Sequence, residues 1–205
     1  AEIACANGAV LKTSAKAIGI ADNAVLVQEQ SQIKKYRFKF VIGADGIVSH
    51  AGRWFGIDTR LGPGEIEVCA QYLLEGINIE PGYTHLIFGA QYAPGGYAWI
   101  FPKSKNSANV GLGISPKKTK RSAKSFLDAW VQREFPGSVI RKRIFGGVPA
   151  VVLARYYGKN FFLIGDAARL TDPLSGAGIA NAVKSGIIAG RSVVLRLKGK
   201  KDDFE

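Results

Sequence analysis

One stretch constrains this chain more than any other: Phe161-Phe162-Leu163-Ile164-Gly165-Asp166-Ala167-Ala168-Arg169-Leu170-Thr171-Asp172-Pro173-Leu174-Ser175-Gly176-Ala177-Gly178-Ile179-Ala180-Asn181-Ala182. Four consecutive apolar residues read as a short buried strand. Gly165 ends it, Asp166 sits at its tip, and Asp172-Pro173 marks a turn. Ser175-Gly176-Ala177-Gly178 then opens a helix that continues through Ile179, Ala182 and Val183. A carboxylate at a strand end accepts hydrogen bonds from a polyol. A helix start built of small residues leaves backbone N–H groups bare, and their dipole favours phosphate. Gly176 and Gly178 let a flat ligand approach the backbone closely. The competing reading is a strand–loop–helix whose glycines serve tight packing alone, and spacing does not separate the two.

The run Gly165-Asp166-Ala167-Ala168, followed by Pro173, Gly176, Gly178 and Asn181-Ala182, resembles the second flavin motif of FAD-dependent oxidoreductases of the para-hydroxybenzoate hydroxylase type. The form Asp172-Pro173-Leu174-Ser175-Gly176-x-Gly178-Ile179 is similar to the geranylgeranyl reductase family within that group. The resemblance implies FAD as cofactor, with Asp166 as the ligand of its ribitol chain. It places Gly178 and Ile179 against the isoalloxazine. Gly165, Ala167, Pro173, Gly176 and Ala177 complete the implied contacts.

Tyr36 to Ile42 reads as one strand, with Tyr36, Phe38 and Phe40 alternating against Arg37 and Lys39. It runs into Gly43-Ala44-Asp45-Gly46, which resembles the same family's Asp-Gly motif. The resemblance implies that Asp45 and Gly46 lie near the pyrophosphate or help admit a nicotinamide donor. The residues alone allow Asp45 to be the cap of a helix over Ile47–Phe55. Two such signatures in the family's order are more specific than either alone. Thr13 to Ile18 alternates as a half-buried strand. Ala15 on it is the family's implied adenine contact or an ordinary packing residue. His50 and His85 are read as structural or surface residues, and no catalytic residue is assigned.

Gly62-Pro63-Gly64 marks a crossing into a second lobe. Glu65 to Tyr72 and Thr84 to Gln91 read as antiparallel strands. Tyr97, Trp99 and Phe101 share one face of a further strand because side chains alternate. Val110, Leu112 and Ile114 alternate with Gly111 and Gly113 on its hairpin partner, across a loop at Lys103–Asn109. Aromatics facing glycines make either an ordinary core face or a flat-walled slot suited to a hydrocarbon chain. Tyr-x-Trp-x-Phe-Pro before a Val-Gly-x-Gly strand looks like the substrate-domain signature of geranylgeranyl reductases. That resemblance implies Tyr97, Trp99 and Phe101 as substrate-binding residues. Ser122 to Phe135 is an amphipathic helix with Phe126, Leu127, Trp130, Val131 and Phe135 on one side. Ile144 to Leu153 returns the chain to the first lobe, with Gly146-Gly147 as the hinge. In the final helix Ala182, Gly186 and Gly190 make a small-residue stripe.

The expected fold is mixed α/β: part of a Rossmann-like FAD-binding domain (1–61 and 148–205) with an inserted antiparallel-sheet substrate domain (62–147). The 205 residues are 47% hydrophobic and 21% charged, a globular composition. No apolar run reaches the roughly 20 residues of a bilayer span. Two isolated cysteines, Cys5 and Cys69, suit a reducing compartment and form no metal site. The net charge of +12 gathers in clusters such as Lys117 to Lys124 and Arg141-Lys142-Arg143. These are solvated surface or a contact with an anionic membrane face; a nucleic-acid partner is not expected. The expected location is the cytoplasm, peripheral at the membrane. The chain contains no Met, so residue 1 is not expected to be the natural start. The family's Gly-x-Gly-x-x-Gly unit is absent, and residues 1–205 alone are not expected to hold FAD tightly. The resemblance implies reduction of geranylgeranyl double bonds on a lipid, with electrons from NAD(P)H or a ferredoxin-like donor. The alternatives are a flavin monooxygenase of the same fold and a non-catalytic isoprenoid-binding remnant.

Overall fold

Strand pairing sorts the chain into three sheets in the computed structural model, which describes residues 1–172, 176–202 and 204. The largest is antiparallel: β5 (Ile66–Glu75), β6 (His85–Phe88), β7 (Tyr97–Ser104), β8 (Ser107–Ile114) and β9 (Val139–Pro149), in the order β6-β7-β8-β5-β9. Alternation gives it two different faces. One carries Ala70, Tyr72, Leu74, Ala98, Ile100, Val110 and Leu112, all buried. Helix α3 (Ala123–Glu134) covers that face with Phe126, Leu127, Trp130 and Val131. Ser122 caps α3 by accepting from the Ser125 N–H at 3.1 Å, where the serine before the apolar stripe predicts it. Burying each large apolar side chain contributes about 1.5–3 kcal/mol, so this helix–sheet contact is the main core. Tyr72 also donates to Asp128 Oδ1 at 2.7 Å, tying β5 to α3. The other face is left open by α3. It carries Glu67, Cys69, Gln71, Tyr97, Trp99, Phe101, Gly111 and Gly113.

The second sheet is a parallel pair, β4 (Val41–Gly43) with β10 (Phe161–Leu163), in the register Val41–Phe161, Ile42–Phe162, Gly43–Leu163. Helix α2 (His50–Trp54) packs on it through Ala51, in a cluster with Phe161, Leu163, Ala167 and Ala168. A short 3₁₀ turn, Gly165–Ala168, follows β10, and helix α4 (Ile179–Leu197) comes back alongside. The third sheet is a meander of β1 (Ala15–Ala21), β2 (Ala24–Glu29) and β3 (Gln32–Arg37).

Several local expectations are corrected. The chain opens on a helical turn, α1 (Glu2–Ala6), for which no element is predicted above. Tyr36 to Ile42 is not one strand. β3 ends at Arg37 in the meander and β4 begins at Val41 in the parallel pair, so the aromatic alternation crosses a sheet boundary. The Lys103–Asn109 loop shrinks to Lys105-Asn106, because β7 and β8 pair out to Ser104 and Ser107. Gly146 and Gly147 are paired strand residues opposite Cys69 and Val68, not a hinge. Of the stripe on α4, Ala182 and Gly186 face Gly165 and Ile164, while Gly190 meets open space. Among the described residues no helix is long and apolar enough to cross a membrane.

Candidate active site

Parallel pairing of β4 and β10 puts their carboxyl ends, and therefore the Asp45 and Asp166 loops, at one edge, the side on which open α/β sheets bind ligands. The Ile164 N–H continues the ladder to the Gly43 carbonyl at 3.0 Å. Gly165 then turns the chain at φ +55°, and the Asp166 side chain stands at the tip. Thr171 Oγ1 donates to Asp166 Oδ1 at 3.0 Å. The loop is stitched to the next helix: Asp172 N–H reaches the Ala177 carbonyl and Gly176 N–H the Asp172 carbonyl, both at 2.9 Å. Asn181 Nδ2 donates to the Leu170 carbonyl at 2.7 Å. A Cβ added at Gly178 would lie 3.1 Å from Asp166 Oδ1, a tight contact, so glycine here lets the backbone pass close to the carboxylate without displacing it. Gly178 is the N-cap of α4 and offers no side-chain hydrogen bond, so among the described residues the amides of the first turn have no side-chain cap. Gly46, Gly165, Asp166, Gly176, Gly178 and Ile179 surround one cavity of about 360 Å³.

The remaining expected cofactor residues fall elsewhere. Ser49 is the N-cap of α2, and Asp45 holds that helix start in place: it accepts from Ser49 Oγ at 2.6 Å, and from the His50 and Ala51 N–H groups at 2.7 and 2.9 Å. Burial pushes its carboxyl up, but those donors outweigh burial and hold it below the usual carboxylate range. Asp45 therefore shapes the turn that presents Gly46. Ala167 is buried in the cluster beneath the loop and does not face the cavity. Ala15 sits at the start of β1 in the meander and lines neither this cavity nor the next. Pro173 lies outside the described residues. Ala177 lines the neighbouring cavity.

That neighbour, about 750 Å³, lies on the open face of the large sheet. Tyr97, Trp99 and Phe101 form one wall, and Gly176 to Ala180 another. The aromatics are therefore not the core, which lies on the opposite face. The glycines act differently from the expected slot. A Cβ at Gly111 would lie 2.6 Å from the Trp99 ring, so the indole lies down over Gly111. Its Nε1–H donates to Gln71 Oε1 at 2.9 Å. Phe101 stacks on Trp99 at 6.0 Å and 16°, which extends the flat wall. A Cβ at Gly176 would be 3.6 Å from the Tyr97 hydroxyl oxygen, so Tyr97 bridges the aromatic wall and the glycine loop.

Sequence reasoning missed Glu67, Cys69, Gln71, Leu86 and Val148, which also line this cavity. The signal was present: Glu67, Cys69 and Gln71 alternate with Ala70, Tyr72 and Leu74, and a strand with one apolar side must turn the other elsewhere. Burial, with the Glu67 charge second, pushes the Cys69 thiol up to about 11. Because the thiolate is the nucleophile, at pH 8 only about one Cys69 in a thousand is reactive. Iodoacetamide at that pH is expected to alkylate exposed Cys5 and to spare Cys69, as read by peptide mass. Modification of both at similar rates would contradict the environment described.

Residues 65–150 match the geranylgeranyl reductase catalytic domain. This span covers the large sheet and α3. The chain is 44% identical over 201 residues to a digeranylgeranylglycerophospholipid reductase from Methanosarcina acetivorans, covering 94% of this chain and 49% of that protein. The chain thus spans about half the length of the curated relatives it matches. The crystal structure of a geranylgeranyl bacteriochlorophyll reductase-like protein from Thermoplasma acidophilum superposes with a TM-score of 0.91 at 32% identity, over 97% of this chain and 52% of that one. A triple mutant of the flavin-dependent brominase Bmp2, at 19% identity and a TM-score of 0.78 over 98% of this chain and 55% of its own, shares the fold. At 44% identity over 94% of its length to such a relative, and with its large sheet matched by the catalytic-domain model, the chain belongs to the geranylgeranyl reductase family.

Proposed function

We propose that the chain forms part of an FAD-dependent reductase that saturates double bonds of geranylgeranyl chains carried on a lipid. The observation that carries this reading is the junction of the two cavities. Gly176, Gly178, Ile179 and Val148 line both, so a flat group held at the Asp166 loop would border whatever lies along the aromatic wall. The residues fit FAD. Asp166 keeps one carboxylate oxygen free of Thr171 for a ribitol hydroxyl, and the close backbone at Gly178 and the amides of α4 suit a flat, anionic ligand. Bound FAD, once reduced, supplies the hydride. The chain's own residues do the rest: Trp99 and Phe101 give an isoprenoid area without polar demand, and Tyr97 closes the wall toward the glycine loop.

Two further elements belong to this reading. Electrons come from NAD(P)H or a ferredoxin-like donor, and the basic segment Lys117 to Lys124 rests against anionic headgroups while the lipid chain enters. The division into 1–61 and 148–205 for the cofactor and 62–147 for the substrate is likewise part of it. The test is anaerobic incubation of protein made from the complete reading frame with FAD, a reductant and a geranylgeranyl lipid, followed by mass spectrometry. The lipid is expected to gain a pair of hydrogens per saturated bond. Unchanged lipid, or oxygen uptake matched to a hydroxylated product in air, would contradict the reductase reading.

A further inference from the structure

Saturating an unactivated alkene needs a proton as well as a hydride, and the two motif carboxylates are engaged elsewhere, Asp45 at the start of α2 and Asp166 with Thr171 and the ribitol it is proposed to hold. The geometry points to Glu67 as the general acid, donating its carboxyl proton to the alkene carbon that does not receive hydride. This rests on the reductase reading above.

Four observations support it. Among the described residues lining the larger cavity, Glu67 carries the only carboxyl group, and no Lys, Arg or His accompanies it. It stands at the cofactor end: its cross-strand partner on β9 is Val148, which lines both cavities. Its Oε2 lies over Gly113, 3.8 Å from where a Cβ would be, beside Cys69 Sγ at 3.2 Å from the same point. A side chain at residue 113 would fill the space into which the carboxyl points. The Glu67 side chain makes no hydrogen bond or ion pair to another described residue, so it is not committed to the fold as Asp45 is.

The titratable groups facing it come from two strands, Cys69 on β5 and Tyr97 on β7, with Gly113 and Val148 contributing none from β8 and β9. Burial raises the Glu67 carboxyl above the ordinary glutamate range. Burial and then the charges of Cys69, Glu67 and Asp172 raise the Tyr97 phenol, and the Cys69 thiol is raised as well. Both remain far weaker acids than Glu67, so the carboxyl is the group able to give up a proton near neutrality. An apolar chain entering the cavity displaces water and pushes Glu67 further toward its neutral, donating form.

The balance is complete. The alkene π pair forms a C–H bond with the proton leaving Glu67, and the hydride brings the electron pair for the second C–H bond. That electron pair would be supplied by reduced FAD when bound, and the Glu67 carboxylate recovers its proton from water when product leaves.

The experiment uses FAD-loaded protein from the complete reading frame and two variants, Glu67→Gln and Glu67→Asp. General acids contribute about 10²- to 10⁴-fold, so Glu67→Gln is expected to lower alkene reduction at least about a hundredfold with normal flavin content, while Glu67→Asp recovers part of the rate. In the wild type, activity falls as pH rises through the raised carboxyl value, and that limb is absent from the residual activity of Glu67→Gln. A second readout needs no turnover. Binding of the fully saturated lipid to oxidised protein is expected to take up protons from weakly buffered solution in the wild type, and none in Glu67→Gln. Flavin-loaded Glu67→Gln reducing within threefold of wild type, or equal proton uptake by both proteins, would overturn the assignment. A wild type that reduces no geranylgeranyl lipid would instead overturn the underlying function.

Discussion

Replacing Asp166 with Ala is expected to weaken FAD binding by about 10- to 150-fold. The range follows from the about 1.5–3 kcal/mol that a hydrogen bond to a charged group contributes. Asp166 stands at the carboxyl end of β10, with Thr171 donating to one oxygen and the Gly178 backbone drawn against it. Removing the carboxylate takes away the acceptor and leaves the Thr171 hydroxyl without its partner. Thr171→Val, which keeps the charge and loses only its orientation, is expected to cost no more than about fivefold, in line with a bond of about 1 kcal/mol. The check is titration of cofactor-free protein with FAD by fluorescence quenching. Equal losses in the two variants would mean that Asp166 acts only by holding its loop together.

Trp99→Ala is expected to lower kcat/KM for a geranylgeranyl lipid by about thirtyfold while flavin content stays within about twofold. A buried Trp covers about 150–250 Å², and an isoprenoid lying along it meets roughly one face. At about 25 cal/mol per Å² this is about 2 kcal/mol, or thirtyfold. The indole is seated over Gly111 and fixed by Gln71, so truncation removes a wall that is otherwise rigid. The substitution also opens space on the sheet, so the comparison needs Gln71→Leu, which frees the indole N–H without removing the ring and is expected to cost much less. Parallel loss of turnover and flavin in Trp99→Ala would mean that the aromatic face serves only stability.

Much of this arrangement is legible in the sequence, for physical reasons that differ from place to place. Tyr97, Trp99 and Phe101 alternate with Ala98 and Ile100, and a strand has only two sides. What alternation leaves open is which side is the core, and α3 decides that by covering Ala98 and Ile100. The Asp166 loop is legible because Gly165, Gly176 and Gly178 have conformational and steric requirements that other residues meet poorly. Alternation along β5 turns Glu67 and Cys69 away from the core, but that they share one space depends on β8 lying beside β5 and offering Gly113, a long-range pairing that the alternation does not record. The break within Tyr36 to Ile42 was hidden for the same reason. Its two halves pair with different partners, β2 and β10, and aromatic periodicity alone does not record a change of partner.

The central claim is that a flavin held at the Asp166 loop reacts with an isoprenoid lying on the Trp99 wall. The most direct test is the visible absorption spectrum of protein from the complete reading frame, bleached anaerobically by reductant and then given a geranylgeranyl lipid. The account predicts that the oxidised flavin band returns in proportion to the double bonds saturated. A spectrum that stays bleached with lipid present, or a colourless protein that does not take up FAD, would contradict it.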